Sequence, residues 1–321
     1  MYRLDLSISE AFYMTTIEFG IKVPTLSEEG VSGTEFVKSI NQYLSDVPPI
    51  FTTLWVSDHL MTWVKNQPEN ADALECWSVM SYLLGTYPHM KVGSGVLCNS
   101  FRNPALLAKM AATLADLAPG RLILGIGAGW SEVEYKGYGY PFPRAAVRIG
   151  QLEEAVQIIK KMWTEDKVTF SGKYYNLWSA RCFPRPDPPP PIMIGGSGEQ
   201  LTLNVVAKYA DWWNGHAQSI DHYQHKLDVL ERHCINVGRD YESIVKTVEG
   251  FVAIATSLKK AEKIAQRGRQ AHFCGTPNDV INQVQDYLDL GITHFMLRFL
   301  DQPHSDGLKL FAEQVIPSLN T

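Results

Sequence analysis

The sequence lacks the cysteine pattern of a disulfide-linked or zinc-binding protein. It contains five cysteines, an odd number, and no two of them stand at Cys-x-x-Cys spacing. We therefore expect neither a disulfide framework nor a metal site, and we predict a cytoplasmic location, where thiols stay reduced.

Long apolar runs and a strong excess of one charge are also missing. No uninterrupted apolar segment approaches the roughly 20 residues that span a bilayer, and no basic region followed by an apolar core suggests a signal peptide. The net charge is −5 and the pI is about 6.0. These values do not favour nucleic acid or a membrane as a partner, and we expect a small-molecule substrate.

Short apolar runs alternate with amphipathic stretches, which predicts a parallel α/β fold. Several of the runs are continuous and rich in β-branched residues, as in strands that are buried on both faces. Eight strands are predicted, at residues 17–23, 53–57, 91–97, 122–126, 192–194, 211–214, 247–255 and 293–299. A chain of 321 residues is long enough for one (β/α)8 TIM barrel, so we predict a single domain over residues 1–321.

One stretch interrupts the alternation. Residues 128–191, between the fourth and fifth strands, are far longer than the usual connection. They contain an amphipathic helix at Ile149–Trp163, a hairpin near Lys167–Leu177 and a proline-rich segment that ends at Pro191. Because neither half of the chain has enough strands to close alone, we expect an insertion over the barrel mouth, not a domain boundary.

The end of the second strand carries a candidate catalytic pair. Asp58 and His59 follow this strand directly, and Trp63 lies four residues beyond His59. Active sites of parallel barrels lie at the C-terminal ends of the strands, and histidine suits acid–base chemistry near neutral pH. Alternatively, Asp58 caps a turn and His59 is an ordinary surface histidine. These residues alone leave both interpretations open.

Three further strand ends are rich in glycine. Gly93–Asn99 and Gly125–Trp130 either let the backbone approach a flat ring closely or form tight loops without a ligand. The turn Gly195–Gly198 precedes a helical stretch, and amide N–H groups in such a turn favour phosphate. On the eighth strand, Arg298 either binds an anionic group or pairs with Asp301.

Taken in order, these motifs resemble the luciferase-like superfamily, and within it the group that uses the deazaflavin coenzyme F420. The resemblance covers residues 17–319. It rests on Trp55–Leu60, Gly95–Leu97, Arg102–Pro104, Leu124–Trp130, Tyr140–Pro143, Leu152–Ala155, Ile192–Gly196 and Ala210–Asn214. It implies a flavin-type oxidoreductase in which the coenzyme carries a hydride at C5 of its ring.

The resemblance also implies roles for single residues. His59 and Trp63 would face the reacting centre, and Trp130 would wall the pocket with Trp63. The peptide bond between Gly95 and Val96 would be cis and lie behind the ring. The implied cofactor-binding residues are Asp58, Gly95, Val96, Cys98, Ala128, Gly129, Gly195, Gly196 and Ser197.

One position departs from the F420-dependent sugar-phosphate dehydrogenases. They place a catalytic glutamate directly after the glycines of the fourth strand, where this chain has Trp130. Glu132 and Glu134 are close but out of register. We therefore expect hydride transfer to or from a small alcohol, carbonyl compound or activated alkene, not a sugar phosphate, with His59 exchanging the proton.

Two other functions stay open. An FMN-dependent monooxygenase on the same barrel would share the phosphate turn and the cis peptide, but would consume oxygen with reduced FMN. A barrel that has lost its chemistry would bind flavin or nothing. Relatives are often dimers, and the composition permits a homodimer without locating its interface.

Overall fold

The computed structural model describes residues 17–27, 30–62, 70–266 and 270–319. The strands are β1 (Glu18–Lys22), β2 (Thr53–Val56), β3 (Lys91–Ser94), β4 (Leu97–Cys98), β5 (Leu122–Gly127), β6 (Val168–Ser171), β7 (Asn176–Ala180), β8 (Ile192–Gly195), β9 (Trp212–His216), β10 (Val245–Ile254), β11 (Phe273–Gly275) and β12 (His294–Phe299). The helices are α1 (Gly33–Ser45), α2 (Cys76–Thr86), α3 (Pro104–Leu117), α4 (Glu132–Gly137), α5 (Ala145–Thr164), α6 (Thr202–Tyr209), α7 (Ile220–Val237), α8 (Leu258–Ala265), α9 (Pro277–Asp289), α10 (Asp306–Leu310) and α11 (Ile316–Leu319).

Eight parallel strands close into a barrel in the order β1, β2, β3, β5, β8, β9, β10 and β12. The closing pair is β12 with β1, where Phe19 lies opposite Phe295. The predicted (β/α)8 barrel is confirmed, and each of the eight predicted strands is present with ends moved by at most three residues. The short strands β4 and β11 were not predicted; they pair with β5 and β10.

The barrel interior is filled by large side chains that require glycine opposite them. Trp55, Ile123, Met193 and Met296 form an inner cluster. A Cβ atom at Gly93 would overlap the Trp55 ring. The glycine of β3 therefore serves the packing of the barrel, whereas the glycines that follow the strands face the mouth.

The segment between β5 and β8 holds α4, α5 and the β6–β7 hairpin. Helix α5 packs against α3 in the outer ring, and the Trp163 indole donates to the Ala108 carbonyl oxygen at 2.9 Å. The Glu154 carboxylate of α5 accepts the backbone N–H groups of residues 173–175 at 2.7–3.0 Å. The turn of the hairpin is thereby fixed to α5.

Within the described ranges, no helix is both long enough and apolar enough to cross a membrane. Each of the five cysteines is unpaired.

Candidate active site

A cavity of about 490 Å³ opens at the C-terminal ends of the barrel strands. It brings together residues that follow β2, β3, β5 and β8. The predicted site residues that line it are Asp58, His59, Gly95, Val96, Cys98, Ala128, Gly129, Trp130, Gly195, Gly196 and Ser197. Trp63 lies outside the described residues, so its predicted role stays a prediction.

Asp58 connects three parts of the cavity wall. Its buried carboxylate accepts hydrogen bonds from both terminal nitrogens of Arg102, at 2.8 and 3.0 Å, and from the backbone N–H of Cys98 at 2.8 Å. Arg102 also pairs with Glu75, whose carboxylate caps α2. Because a two-pronged arginine–carboxylate pair fixes geometry as well as charge, Asp58 holds the segment after the cis peptide in place.

His59 is paired with a buried glutamate. Its Nδ1 atom lies 3.0 Å from an oxygen of Glu134, and the other oxygen accepts the Leu60 N–H at 2.7 Å. Burial resists ionisation, yet the hydrogen bonds from His59 and Leu60 keep the pKa of the Glu134 carboxyl below its ordinary value. An ionised Glu134 favours the tautomer of His59 that carries its proton on Nδ1, in which the lone pair lies on Nε2.

Glu134 lines the cavity but was not predicted as part of the site. Its position, four residues after Trp130, is out of register with the family glutamate, but α4 begins directly after the β5 loop and carries it back to the mouth. Trp130 is 60% exposed and meets the His59 ring edge-on, with ring centroids 5.9 Å apart. The sequence signal that could have identified Glu134 is a carboxylate about one helical turn after the expected position.

The wall beneath the β5 loop is polar but uncharged. Cys98 Sγ lies 3.2 Å from the Tyr135 hydroxyl, and burial raises the pKa of the Cys98 thiol to about 11 and also raises the pKa of Tyr135. Gly129 adopts a φ of 74°, and a Cβ atom there would overlap both side chains. The glycine therefore lets the loop pass over this pair, and the wall suits an uncharged part of a ligand.

The bed of the cavity is formed by Val96. The bond between Gly95 and Val96 is cis, as the resemblance implies. The Val96 side chain lies so close to Gly127 and Gly195 that a Cβ atom at either glycine would come within 2.8 Å of it. The glycines that end β5 and β8 thus leave an open slot around one apolar side chain.

The glycine turn after β8 differs in detail from the prediction. The Gly196 N–H donates to the Asn214 carbonyl oxygen at 3.2 Å, and α6 begins only at Thr202. Ser197 and Gly198 follow in the same turn and line the cavity. The turn is held from α7, where His233 Nε2 lies 2.7 Å from the Glu199 carbonyl oxygen.

A buried ion pair also lines the cavity. Lys22 Nζ contacts a Glu249 oxygen at 2.6 Å and donates to the Gly95 carbonyl oxygen at 3.1 Å. Arg298 lines the same cavity, whereas the Asp301 carboxylate accepts the Gly307 N–H at 2.7 Å. No pattern in the sequence predicted the Lys22–Glu249 pair.

These features define a barrel that has an apolar slot, a glycine-rich turn and a histidine paired with a buried carboxylate at one mouth. Among the residues that the structure describes, no group of three or more His, Cys, Asp or Glu side chains is arranged to hold a metal ion. Such a site is that of a flavin-type oxidoreductase. The chain belongs to the luciferase-like monooxygenase family, which it matches over residues 51–274. The predicted family and enzyme class are confirmed.

Individual relatives agree with this family. The F420-dependent glucose-6-phosphate dehydrogenase of Kineococcus radiotolerans is 29% identical over 301 residues, 83% of this chain and 88% of the relative. An F420-dependent secondary alcohol dehydrogenase, solved with an F420-acetone adduct, matches 95% of this chain and 99% of its own, with a TM-score of 0.81 and 21% identity. A riboflavin lyase, solved with a modified FMN, matches 95% of this chain and 91% of its own, with a TM-score of 0.76 and 14% identity.

Proposed function

We propose that this chain is an F420-dependent oxidoreductase that transfers a hydride between C5 of the deazaflavin and a small alcohol, carbonyl compound or activated alkene. The observation that carries the proposal is the His59–Glu134 pair, which lies in the same cavity as the cis Gly95–Val96 peptide. The F420-dependent relatives support the choice of coenzyme.

In this proposal, the ring and the phosphate of the coenzyme lie in different parts of the cavity. Val96 and the loop Ala128–Gly129 would hold the ring, since they form an apolar slot. Cys98 would lie at the ring edge, where its buried thiol stays neutral. The turn Gly195–Gly198 would bind the phosphate through N–H groups and the Ser197 hydroxyl.

When bound, F420 supplies a hydride acceptor and donor at C5 of its ring. During alcohol oxidation, the carbinol hydrogen leaves with its electron pair as the carbonyl double bond forms. His59 accepts the hydroxyl proton at Nε2, and the Glu134 carboxylate stabilises the imidazolium that results. During carbonyl reduction, His59 returns the proton to the oxygen. General acid–base help of this kind contributes roughly 10²–10⁴ in rate.

Trp130 supports a substrate that is more apolar than a sugar phosphate. Its exposed ring stands beside His59, at the position where the sugar-phosphate enzymes carry a glutamate. The relative from Kineococcus radiotolerans is named for glucose 6-phosphate, but at 29% identity this similarity supports a sugar-phosphate substrate only weakly. Turnover of glucose 6-phosphate and of short secondary alcohols by one preparation compares the two substrate classes directly.

The first experiment is a titration of the purified protein with F420 and, separately, with FMN. We expect saturable binding of F420, followed by bleaching of its absorbance in the presence of a suitable alcohol. Tight binding of FMN with no binding of F420 contradicts the proposal.

The second candidate is an FMN-dependent monooxygenase, which the family and the riboflavin lyase likeness favour. Oxygen consumption with reduced FMN distinguishes this candidate, because the hydride chemistry of F420 needs no oxygen. A non-catalytic barrel is separated from both by the wild-type protein, which would turn over no candidate substrate with either coenzyme, so that His59→Ala would have nothing to change.

A further inference from the structure

The Lys22–Glu249 pair joins two barrel strands that are not direct neighbours. Lys22 ends β1, Glu249 lies within β10, and β12 separates these strands in the barrel. Both side chains are less than a tenth exposed, and they meet at 2.6 Å. The second Glu249 oxygen lies 3.9 Å from Nδ1 of His216, so the pair continues to the rim at β9.

Such a pair is weak as a source of stability. Removing two charges from water costs several kcal/mol per ion, and a buried pair often does no more than offset that cost. The pair also lies on a cavity, not inside the apolar core, because both members line the same space as His59 and Val96. Its placement therefore points to an electrostatic role toward a ligand.

The cation is the member that reaches the bed of the cavity. Lys22 Nζ donates to the carbonyl oxygen of Gly95, the first residue of the cis peptide, at 3.1 Å. Glu249 meets the same ammonium group from the β10 side. Because Lys22 contacts the residue that precedes Val96, a ligand ring over Val96 would lie close to the Lys22 cation, and Coulomb energy is largest at short distance.

We propose that the Lys22–Glu249 pair sets the relative affinity of this site for the reduced and oxidised forms of the coenzyme, with Lys22 favouring the reduced form and Glu249 limiting that preference. The inference rests on the proposed function. Arrival of a hydride brings two electrons and one proton to the ring, so the ring gains one negative charge. A nearby cation favours that charge, and a carboxylate behind the cation opposes it.

The test compares Lys22→Met with Glu249→Gln in the full-length protein. Dissociation constants for F420 and for F420H2 are measured anaerobically by fluorescence titration, and their ratio is the readout. We expect Lys22→Met to weaken binding of the reduced form by about tenfold relative to the oxidised form, which equals about 1.4 kcal/mol. We expect Glu249→Gln to change the ratio in the opposite direction.

Opposite changes of this ratio in the two variants separate an electrostatic role from a structural one, because mere damage to the cavity weakens the binding of both forms of the coenzyme alike. Lys91→Met is the matched control: Lys91 pairs with Glu18 at 2.9 Å and begins β3, at the other end of the barrel. We expect it to leave the ratio unchanged. If Lys22→Met does not fold, Lys22→Arg keeps the charge and should preserve the ratio, while Glu249→Gln alone must raise the preference for F420H2.

Three outcomes overturn the inference. The first is that the ratio of the two dissociation constants stays constant in both variants. The second is that both variants change this ratio in the same direction. The third is that Lys91→Met changes it as much as they do. A wild-type protein that binds F420 in neither form contradicts the proposed function as well. A wild-type protein that binds both forms, with an unchanged ratio in the variants, contradicts this inference alone.

Discussion

His59 Nδ1 lies 3.0 Å from a carboxylate oxygen of Glu134, a side chain that is only 2% exposed. The carboxylate is held ionised by this contact and by the Leu60 N–H. In the proposed reaction, Glu134 would act through His59 on the proton that a substrate hydroxyl gains or loses, although it is out of register with the glutamate of the sugar-phosphate enzymes.

We predict that Glu134→Gln lowers kcat for alcohol oxidation by about 10- to 100-fold, because the imidazolium loses its stabilising charge. The amide keeps the shape of the side chain, so we expect the dissociation constant of F420 to change by less than about threefold. Steady-state kinetics and a coenzyme titration check both statements.

The matched control for this variant is Glu132→Gln. Glu132 stands on the same helix, is exposed, and pairs with Lys136 at 2.8 Å. It should leave kcat unchanged. Equal losses of kcat in the two variants, or a loss of F420 binding that matches the loss of kcat in Glu134→Gln, would assign Glu134 a structural role only.

The barrel strands were predictable because a strand buried on both faces is a continuous apolar run, and β5 (Leu122–Gly127) is buried along its whole length. The contact between Lys22 and Glu249 was not predictable, since these residues are 227 positions apart and meet only when the barrel closes. Glu134 was missed for a related reason: its contact with His59 depends on where α4 begins, which no local pattern specified. Sequence spacing thus located the strand ends, while contacts between strand ends required the closed structure.

We predict that His59→Ala lowers turnover by at least about 100-fold while F420 still binds, because the variant removes the proton acceptor and leaves the slot around Val96 intact. His89→Ala, a change at an exposed histidine, serves as the control. Rates and F420 titrations of the two variants, measured side by side, decide the matter. Wild-type turnover in His59→Ala would show that another group exchanges the proton.

We predict that Gly195→Ala weakens coenzyme binding by at least about tenfold. The new methyl group would come within 2.8 Å of the Val96 side chain and push it into the slot; overpacking of this kind typically costs about 1–3 kcal/mol. Gly85→Ala is the comparison, because α2 leaves open space around Gly85 and alanine favours a helix by about 0.5–1 kcal/mol. Calorimetric titration with F420 should detect a loss in Gly195→Ala only, and equal affinities in both variants would contradict the assignment of Val96 to the ring bed.

We predict that part of the stability depends on pH through Glu18, at the bottom of the barrel. A hydrogen bond from His294 and then the contact with Lys91, against the opposing effect of burial, lower the pKa of Glu18 from 4.5 to about 2. A pKa that is lower in the folded state stabilises the protein above pH 4.5, and this contribution is lost as the pH falls toward 2. After allowance for solvent screening, we expect a loss of about 1–2 kcal/mol in the free energy of unfolding.

Urea unfolding at pH 6 and at pH 3 should show a smaller difference for Glu18→Gln than for the wild type. Glu231→Gln, a change at an exposed residue of α7, should leave the wild-type difference intact. A Glu18→Gln protein with the full wild-type dependence would place the acid sensitivity elsewhere in the barrel.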